Sequence, residues 1–265
     1  MSPKLIAALL FTHAAARVVS AADGSYKPLF NGKDFNDWTL LLRDGTPEEI
    51  KQVYTIDPGG ILHVFRDLPN GTGVETRKNA THGVMATKRS YKYYSLKFEY
   101  KWGTKLFNNH DQFQYDAGVI YHITEMKIWP TALQYQVRYN HLENRNHTGD
   151  IVAGGITMQW YSKDGATFEW PKDGGTPQPV RRGQHYAQLN APFHGLDGQW
   201  NVCELIVMGD RYLLHKLNGK IVNMATDLGT AEGPIAIEAE TGETLWRNIL
   251  IKEFTAPVPM ETFLP

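Results

Sequence analysis

Apolar residues recur at every second position along most of this chain and almost nowhere at the three-to-four spacing of a helix. Across residues 94–102, Leu96, Phe98, Tyr100 and Trp102 alternate with Ser95, Lys97, Glu99 and Lys101. That period of two marks a strand with one face in a core and the other toward solvent. Similar runs predict strands at residues 61–65, 83–87, 118–123, 133–139, 155–161, 200–208, 212–217, 220–225, 234–240 and 245–254. The one helical signal lies at residues 46–52, where Thr46 can cap and Pro47 can occupy the first turn. Parallel strands would need helical crossovers that this sequence lacks, so the sheet is expected to be antiparallel. Asn218-Gly219 and Gly209-Asp210 punctuate the last third as tight turns, which makes residues 200–225 a meander. At 265 residues the expectation is an all-β, antiparallel jelly-roll β-sandwich with one core. Residues 162–199, rich in glycine and in Pro171, Pro177, Pro179 and Pro192, read as long surface excursions.

The 27 basic and 28 acidic residues leave a net charge of −1, with no broad positive field to hold nucleic acid or an anionic membrane. Residues 1–21 start with Lys4, continue through apolar Leu5 to Leu10, and end in Val19-Ser20-Ala21. The pattern is that of a signal peptide, so residues 22–265 are expected to form a single secreted domain. Beyond the leader, no apolar run reaches the ~18 residues needed to span a bilayer. Asn70, Asn79 and Asn146 each open a glycosylation sequon, which fits secretion. Cys203 is the single cysteine, so no internal disulfide forms; its place in Val202-Cys203-Glu204-Leu205-Ile206 predicts a core-facing strand residue.

Two strands carry polar rows. On residues 133–139, Gln134, Gln136 and Arg138 share one face opposite Leu133, Tyr135, Val137 and Tyr139. Such a row suits sugar hydroxyls, and a guanidinium also grips a carboxylate or an oxyanion; a solvated outer face is the plain alternative. On residues 234–240, Glu238 and Glu240 share a face, either as a working pair or as exposed acids. His122, expected to share a face with Gly118 and Ile120, offers acid/base chemistry near neutral pH. Asp116 and Tyr121 in the same stretch join the substrate-contact candidates, as do the aromatics Trp129, Trp160 and Tyr161, whose rings can stack on sugars. His141, His147, His185 and His194 are available for a metal, but their spacing names no site. The sequence contains no zincin, phosphate-loop, nucleophile-elbow or EF-hand motif.

An ordered set of short blocks then adds a resemblance. Leu29-Phe30-Asn31-Gly32-Lys33-Asp34-Phe35-Asn36-Asp37-Trp38 opens it, followed by Gly198-Gln199-Trp200-Asn201, Leu217-Asn218-Gly219-Lys220, Gly233-Pro234-Ile235 and Trp246-Arg247-Asn248-Ile249. Together they resemble the 3-keto-disaccharide (3-keto-glycoside) hydrolase family over residues 27–254. The resemblance implies a concanavalin A-like lectin/glucanase fold and cleavage of glycosides oxidised at C3. There the ketone acidifies the C2–H, a base removes that proton, the C1 leaving group departs, and water can then add. It also implies a glutamate where Gln134 stands and an arginine where His122 stands. Those departures leave three outcomes open: His122 or Glu240 serves as base, the substrate differs, or catalysis is lost. In the catalytic reading, Arg138 and Gln136 bind substrate oxygens and Glu238 supports them. The other expectations are a polysaccharide lyase or glycoside hydrolase acting on unoxidised polysaccharide, and a lectin-like module. Either reading has an oligosaccharide, polysaccharide or glycoside as partner. No cofactor is required by the sequence, and a divalent ion, calcium or a transition metal, is compatible with it.

Overall fold

The computed structural model describes residues 24–73, 81–108 and 115–265. The expected leader and Asn79 lie outside the described residues. The chain is an all-β jelly-roll sandwich, one continuous antiparallel sheet folded into two layers. In the front layer β2 (Trp38–Leu42) pairs with β5 (Gly83–Thr87), followed by β15 (Ala236–Ala239), β7 (Tyr115–Glu125), β8 (Thr131–Asn140) and β10 (Ile151–Ser162). The short β9 (Arg145–Asn146) pairs with β8, and β11 (Thr176–His185) forms the edge beside β10. The rear layer runs β14 (Lys220–Thr226), β13 (Tyr212–Leu217), β12 (Asn201–Met208), β6 (Tyr93–Leu106), β16 (Gly242–Glu253), β4 (Ile61–Val64) and β3 (Tyr54–Asp57), with β1 (Lys27–Pro28) beside β16.

The alternation seen in sequence is what closes the sandwich. Leu96, Phe98, Tyr100 and Trp102 point inward from β6 and meet Tyr135 and Val137 from β8 across the core. Phe98 packs edge-on against Tyr135 at 5.3 Å, and Trp246 sits 5.7 Å from both Phe98 and Tyr100. Cys203 is buried on β12 as its strand position requires, and burial pushes its thiol up to about 12. His215 is also deep in the core, where Nδ1–H donates to the Gly149 carbonyl and Nε2 accepts from the Tyr121 hydroxyl. Desolvation lowers its pKa to about 3, so it stays neutral.

Local signals hold where chemistry is local. Helix α1 (Pro47–Val53) carries a capping box between Thr46 and Glu49, with Pro47 in the first turn. Asn218 and Gly219, at φ 45° and 83°, turn β13 into β14. One expectation fails: residues 162–199 are not all loop, because β11 lies within them. Its Pro177 and Pro179 occupy alternate positions on an edge strand that pairs only with β10. There a missing N–H breaks no ladder, so prolines that read as loop are compatible with the sheet.

Candidate active site

The front layer is concave, and its outward-facing side chains line up in cross-strand rows. Gln134, Gln136 and Arg138 project from β8. Their register partners on β7 are Ile120, Gly118 and Asp116, and the partners of Ile120 and Gly118 on β15 are Ala236 and Glu238. Glu240 follows β15 directly. These residues line an open cleft of about 680 Å³, closed on its other sides by Trp129, Pro130, Val152, Arg182 and Gln184.

Gly118 makes the central contact. Strand β7 separates β8 from β15, and the Gln134 amide crosses it to donate from Nε2 to Glu238 Oε2 at 2.8 Å. A Cβ on residue 118 would stand 2.1 Å from that nitrogen. Glycine is therefore needed here for clearance.

Three carboxylates crowd this cleft. Glu238 is 1% exposed, and burial raises its pKa to about 7 against the lowering effect of the Gln134 bond. Its Oε1 lies 3.1 Å from Nε2 of His82, which is fully buried just before β5. Glu240 is half-buried; burial and then the Glu238 charge raise it to about 7, against the field of His82, a hydrogen bond from Asp116 and the field of Arg138. Asp116 is driven well above the usual carboxylate range by burial and by Glu240, which accepts its proton. Gln136 Nε2 donates to Asp116 Oδ1, and Arg138 Nη1 stands 3.9 Å from Asp116 Oδ2. The arrangement is two hydrogen-bonded acids, both raised by burial, Glu240 to about 7, beside a guanidinium. A base so tuned can take a weakly acidic proton and return it.

The structure thus brings together Asp116, Trp129, Gln134, Gln136, Arg138, Glu238 and Glu240. It does not bring His122, Tyr121, Trp160 or Tyr161 to the cleft. His122 has φ 55°, at a break in the β7–β8 register between Tyr121 and Glu125. There residues 122–124 stand against Ala132 alone, and this bulge turns His122 away from the face of Ile120 and seats Ile123 there instead, in a small cluster with Val84, Ala86, Ile120, Ala132 and Ala236. His122 is fully buried with Nε2 on the Gly209 carbonyl, and burial lowers its pKa to about 4. Tyr121 points into the core toward His215. Trp160 is a core residue donating to Asn223, and Tyr161 meets the Thr226 hydroxyl away from the cleft.

The histidines considered for a metal are separated: His147 meets Asp150, His194 meets Asp197, His185 packs on Trp160 and His141 on Tyr115. Among the described residues, no three His, Cys, Asp or Glu side chains form a metal-holding group. Of the sequons, Asn70 is exposed with Oδ1 accepting from the Leu106 amide, while Asn146 accepts from the Thr148 amide. His82, Arg182 and Gln184 were missed by sequence reasoning. His82 lies outside any strand, and Arg182 and Gln184 belong to the strand hidden by its prolines.

Two solved structures from Parabacteroides distasonis ATCC 8503, both assigned as glycosyl hydrolases, share the fold. One is 17% identical at a TM-score of 0.51, covering 86% of this chain and 93% of its own. The other is 17% identical at 0.52, covering 86% and 99%. No curated protein sequence matches the chain. The 3-keto-alpha-glucoside-1,2-lyase-like domain family matches residues 25–252, nearly all of the described chain. With its jelly roll and a cleft that gathers acids, amides and an indole on one face, the chain belongs to this carbohydrate-active family.

Proposed function

We propose that the protein cleaves the glycosidic bond of 3-keto-glycosides by removing the C2 proton and eliminating the C1 substituent. The observation that carries this reading is the Glu240–Asp116 pair, two hydrogen-bonded acids whose pKa values burial raises, beside Arg138 in an open cleft. Glu240 is the base: it takes the C2 proton, and the electron pair passes into the enolate of the C3 ketone. In this reading Arg138 and the Gln136 amide, both on the cleft face of β8, stabilise that oxyanion. The protonated Glu240 then gives its proton to the departing oxygen, which restores the carboxylate. Water adding to the unsaturated sugar would complete net hydrolysis.

Two features favour elimination over ordinary glycoside hydrolysis. Both Glu238 oxygens are already bonded, one to His82 and one to Gln134, so Glu238 and Glu240 are not two acids facing each other across a substrate. The amide at Gln134 also removes a charge from the centre of the row and gives Glu238 a donor. Trp129, 48% exposed on the cleft wall, offers its indole face to a sugar ring. In this reading residues 22–265 act as one secreted domain on a carbohydrate substrate.

The test is incubation with a 3-keto-glycoside and with its unoxidised parent, followed by mass analysis. Turnover of the keto-glycoside alone, with an unsaturated product lighter by one water or its hydrate, is the expected result. Cleavage of the parent sugar would replace this mechanism with direct hydrolysis. Binding of both without turnover would leave a lectin.

A further inference from the structure

Among the described residues His82 is the histidine that meets the cleft acids, and it hydrogen-bonds to them through a single atom. Nε2 lies 3.1 Å from Glu238 Oε1, while Nδ1 is buried without a hydrogen-bond partner. The Trp129 ring covers the imidazole at 4.1 Å between centroids, which keeps water away from it. This geometry fixes the tautomer. Were Glu238 the donor, Nδ1 would carry the proton as a buried N–H with no acceptor; with the proton on Nε2, only a lone pair is left unmatched. His82 therefore donates to Glu238, and so does the Gln134 amide from the other side. Two N–H donors on one carboxylate favour its ionised form.

We propose that His82 is a positioning residue acting through Glu238: with Gln134 it holds Glu238 toward its ionised form, and the Glu238 charge, facing the Asp116–Glu240 pair, keeps Glu240 a strong enough base. The inference rests on the reading of Glu240 as base. Burial first and Glu238 second raise Glu240. The other charged and titratable groups around the Asp116–Glu240 dyad are His82, whose field lowers Glu240, Arg138 on β8, Arg182 on β11 across the cleft, Arg43 beyond β2, which acts on His82, and Tyr54 on β3, which feels Glu238. Burial lowers the His82 pKa against the opposing field of Glu240, and its direct link to Glu238 is the hydrogen bond.

The deciding experiment is a carboxylate ¹³C NMR titration of the full chain, labelled at glutamate, for wild type, His82→Leu, His82→Gln and Glu238→Gln. In His82→Leu the Glu238 midpoint rises and the Glu240 midpoint falls, by on the order of tenfold in proton affinity. His82→Gln, whose amide reaches the Nε2 position, restores both. Glu238→Gln lowers the Glu240 midpoint by itself, and adding His82→Leu to it moves that midpoint no further. A Glu240 midpoint unmoved in folded His82→Leu, or a His82→Gln titration like that of His82→Leu, overturns the proposal. Should His82→Leu not fold, Glu238→Gln decides: an unmoved Glu240 midpoint overturns it. The titration needs no substrate, so absence of turnover on 3-keto-glycosides would sink the functional reading while this result is read separately.

Discussion

Two clusters in this molecule join a histidine to carboxylates, and they behave in opposite ways. At the sheet edge, His63 places Nδ1 2.8 Å from Asp57 and Nε2 3.1 Å from Glu243. Both partners only accept, so both ring nitrogens carry protons, and the pKa is raised by Glu243 and Asp57 against the opposing effect of burial. Arg66 pairs with Asp57 at 2.7 Å and Lys105 stands 3.5 Å from Glu243. Glu243 also accepts from the Thr104 and Lys105 amides, and the His63 bond together with these two brings it down to about 2 despite burial. In the cleft, Glu238 and Glu240 rise to about 7 and His82 falls. The residue types are the same. What differs is the supply of cations: the edge cluster has one for each acid, whereas the cleft sets three acids against Arg138 and an exposed Arg182 on its far wall. The first arrangement stabilises the fold, and the second keeps protons mobile near neutral pH.

The largest contrast is expected from matching substitutions. Glu240→Gln should lower kcat/KM on a 3-keto-glycoside by about a thousandfold. It should also raise stability at pH 8 by about 1–3 kcal/mol, because a buried acid with a raised pKa costs stability once it ionises. Glu243→Gln should leave turnover within about twofold and cost about 1–2 kcal/mol through weakened bonds. Wild-type stability follows the same signs. Glu243 contributes fully above its ordinary value of 4.5, and this is lost as pH falls toward about 2. His63 contributes fully below 6.5, and its share is lost as pH rises through its raised value. Glu238 and Glu240 subtract progressively between 4.5 and about 7. His122 and His215, lowered by burial to about 4 and about 3, add stability as pH rises to 6.5 and offset that loss, so thermal denaturation across pH should peak at about pH 5 to 6, while activity climbs through about 7. A stability peak above pH 8 would contradict the division.

Gly118→Ala tests the cleft from its backbone. The glycine has no positive φ, so alanine fits the strand, but its methyl would displace the Gln134 amide from Glu238. Activity should fall by about ten- to a hundredfold with secondary structure unchanged in circular dichroism. Full activity would show that Gln134 does not need its place across β7.

The cleft's β8 face was legible in the sequence because a strand's period of two assigns faces without any tertiary information. Gln134, Gln136 and Arg138 needed only that rule, and Glu238 and Glu240 needed it on a second strand. What pairs with what was not legible: β15 reaches β7 only through the fold's non-local order, so the Glu240–Asp116 contact spans 124 positions of chain that no local pattern links. His82 was invisible for the same reason. His122 failed for a local reason, since one residue at positive φ inverts the face of everything after it. The edge strand β11 was hidden by prolines whose tolerance depends on having a neighbour on one side only.

Trp129→Ala removes the indole that covers His82. Water then reaches the dyad, and the depressed His82 and raised Glu238 should both move back toward their ordinary values. KM should rise about five- to twentyfold with a smaller change in kcat, since the ring also forms the cleft wall. Melting should shift little, as 48% of the residue is already in solvent. A collapse of stability instead would make Trp129 a core residue.

His122→Asn has the smallest expected effect and isolates what the carboxylates do. This histidine is as buried as His82, but its Nε2 meets the Gly209 carbonyl rather than an acid, so its proton has no partner to exchange with. Asparagine tolerates the φ of 55° that residue 122 holds. Turnover should stay within about twofold across pH, with a stability loss of about 1–2 kcal/mol from the smaller side chain and the lost bond. If the pH profile moved as in His82→Leu, a histidine distant from every cleft carboxylate would be governing the base. The difference between the two clusters would then lie in long-range fields rather than in the direct bond between His82 and Glu238.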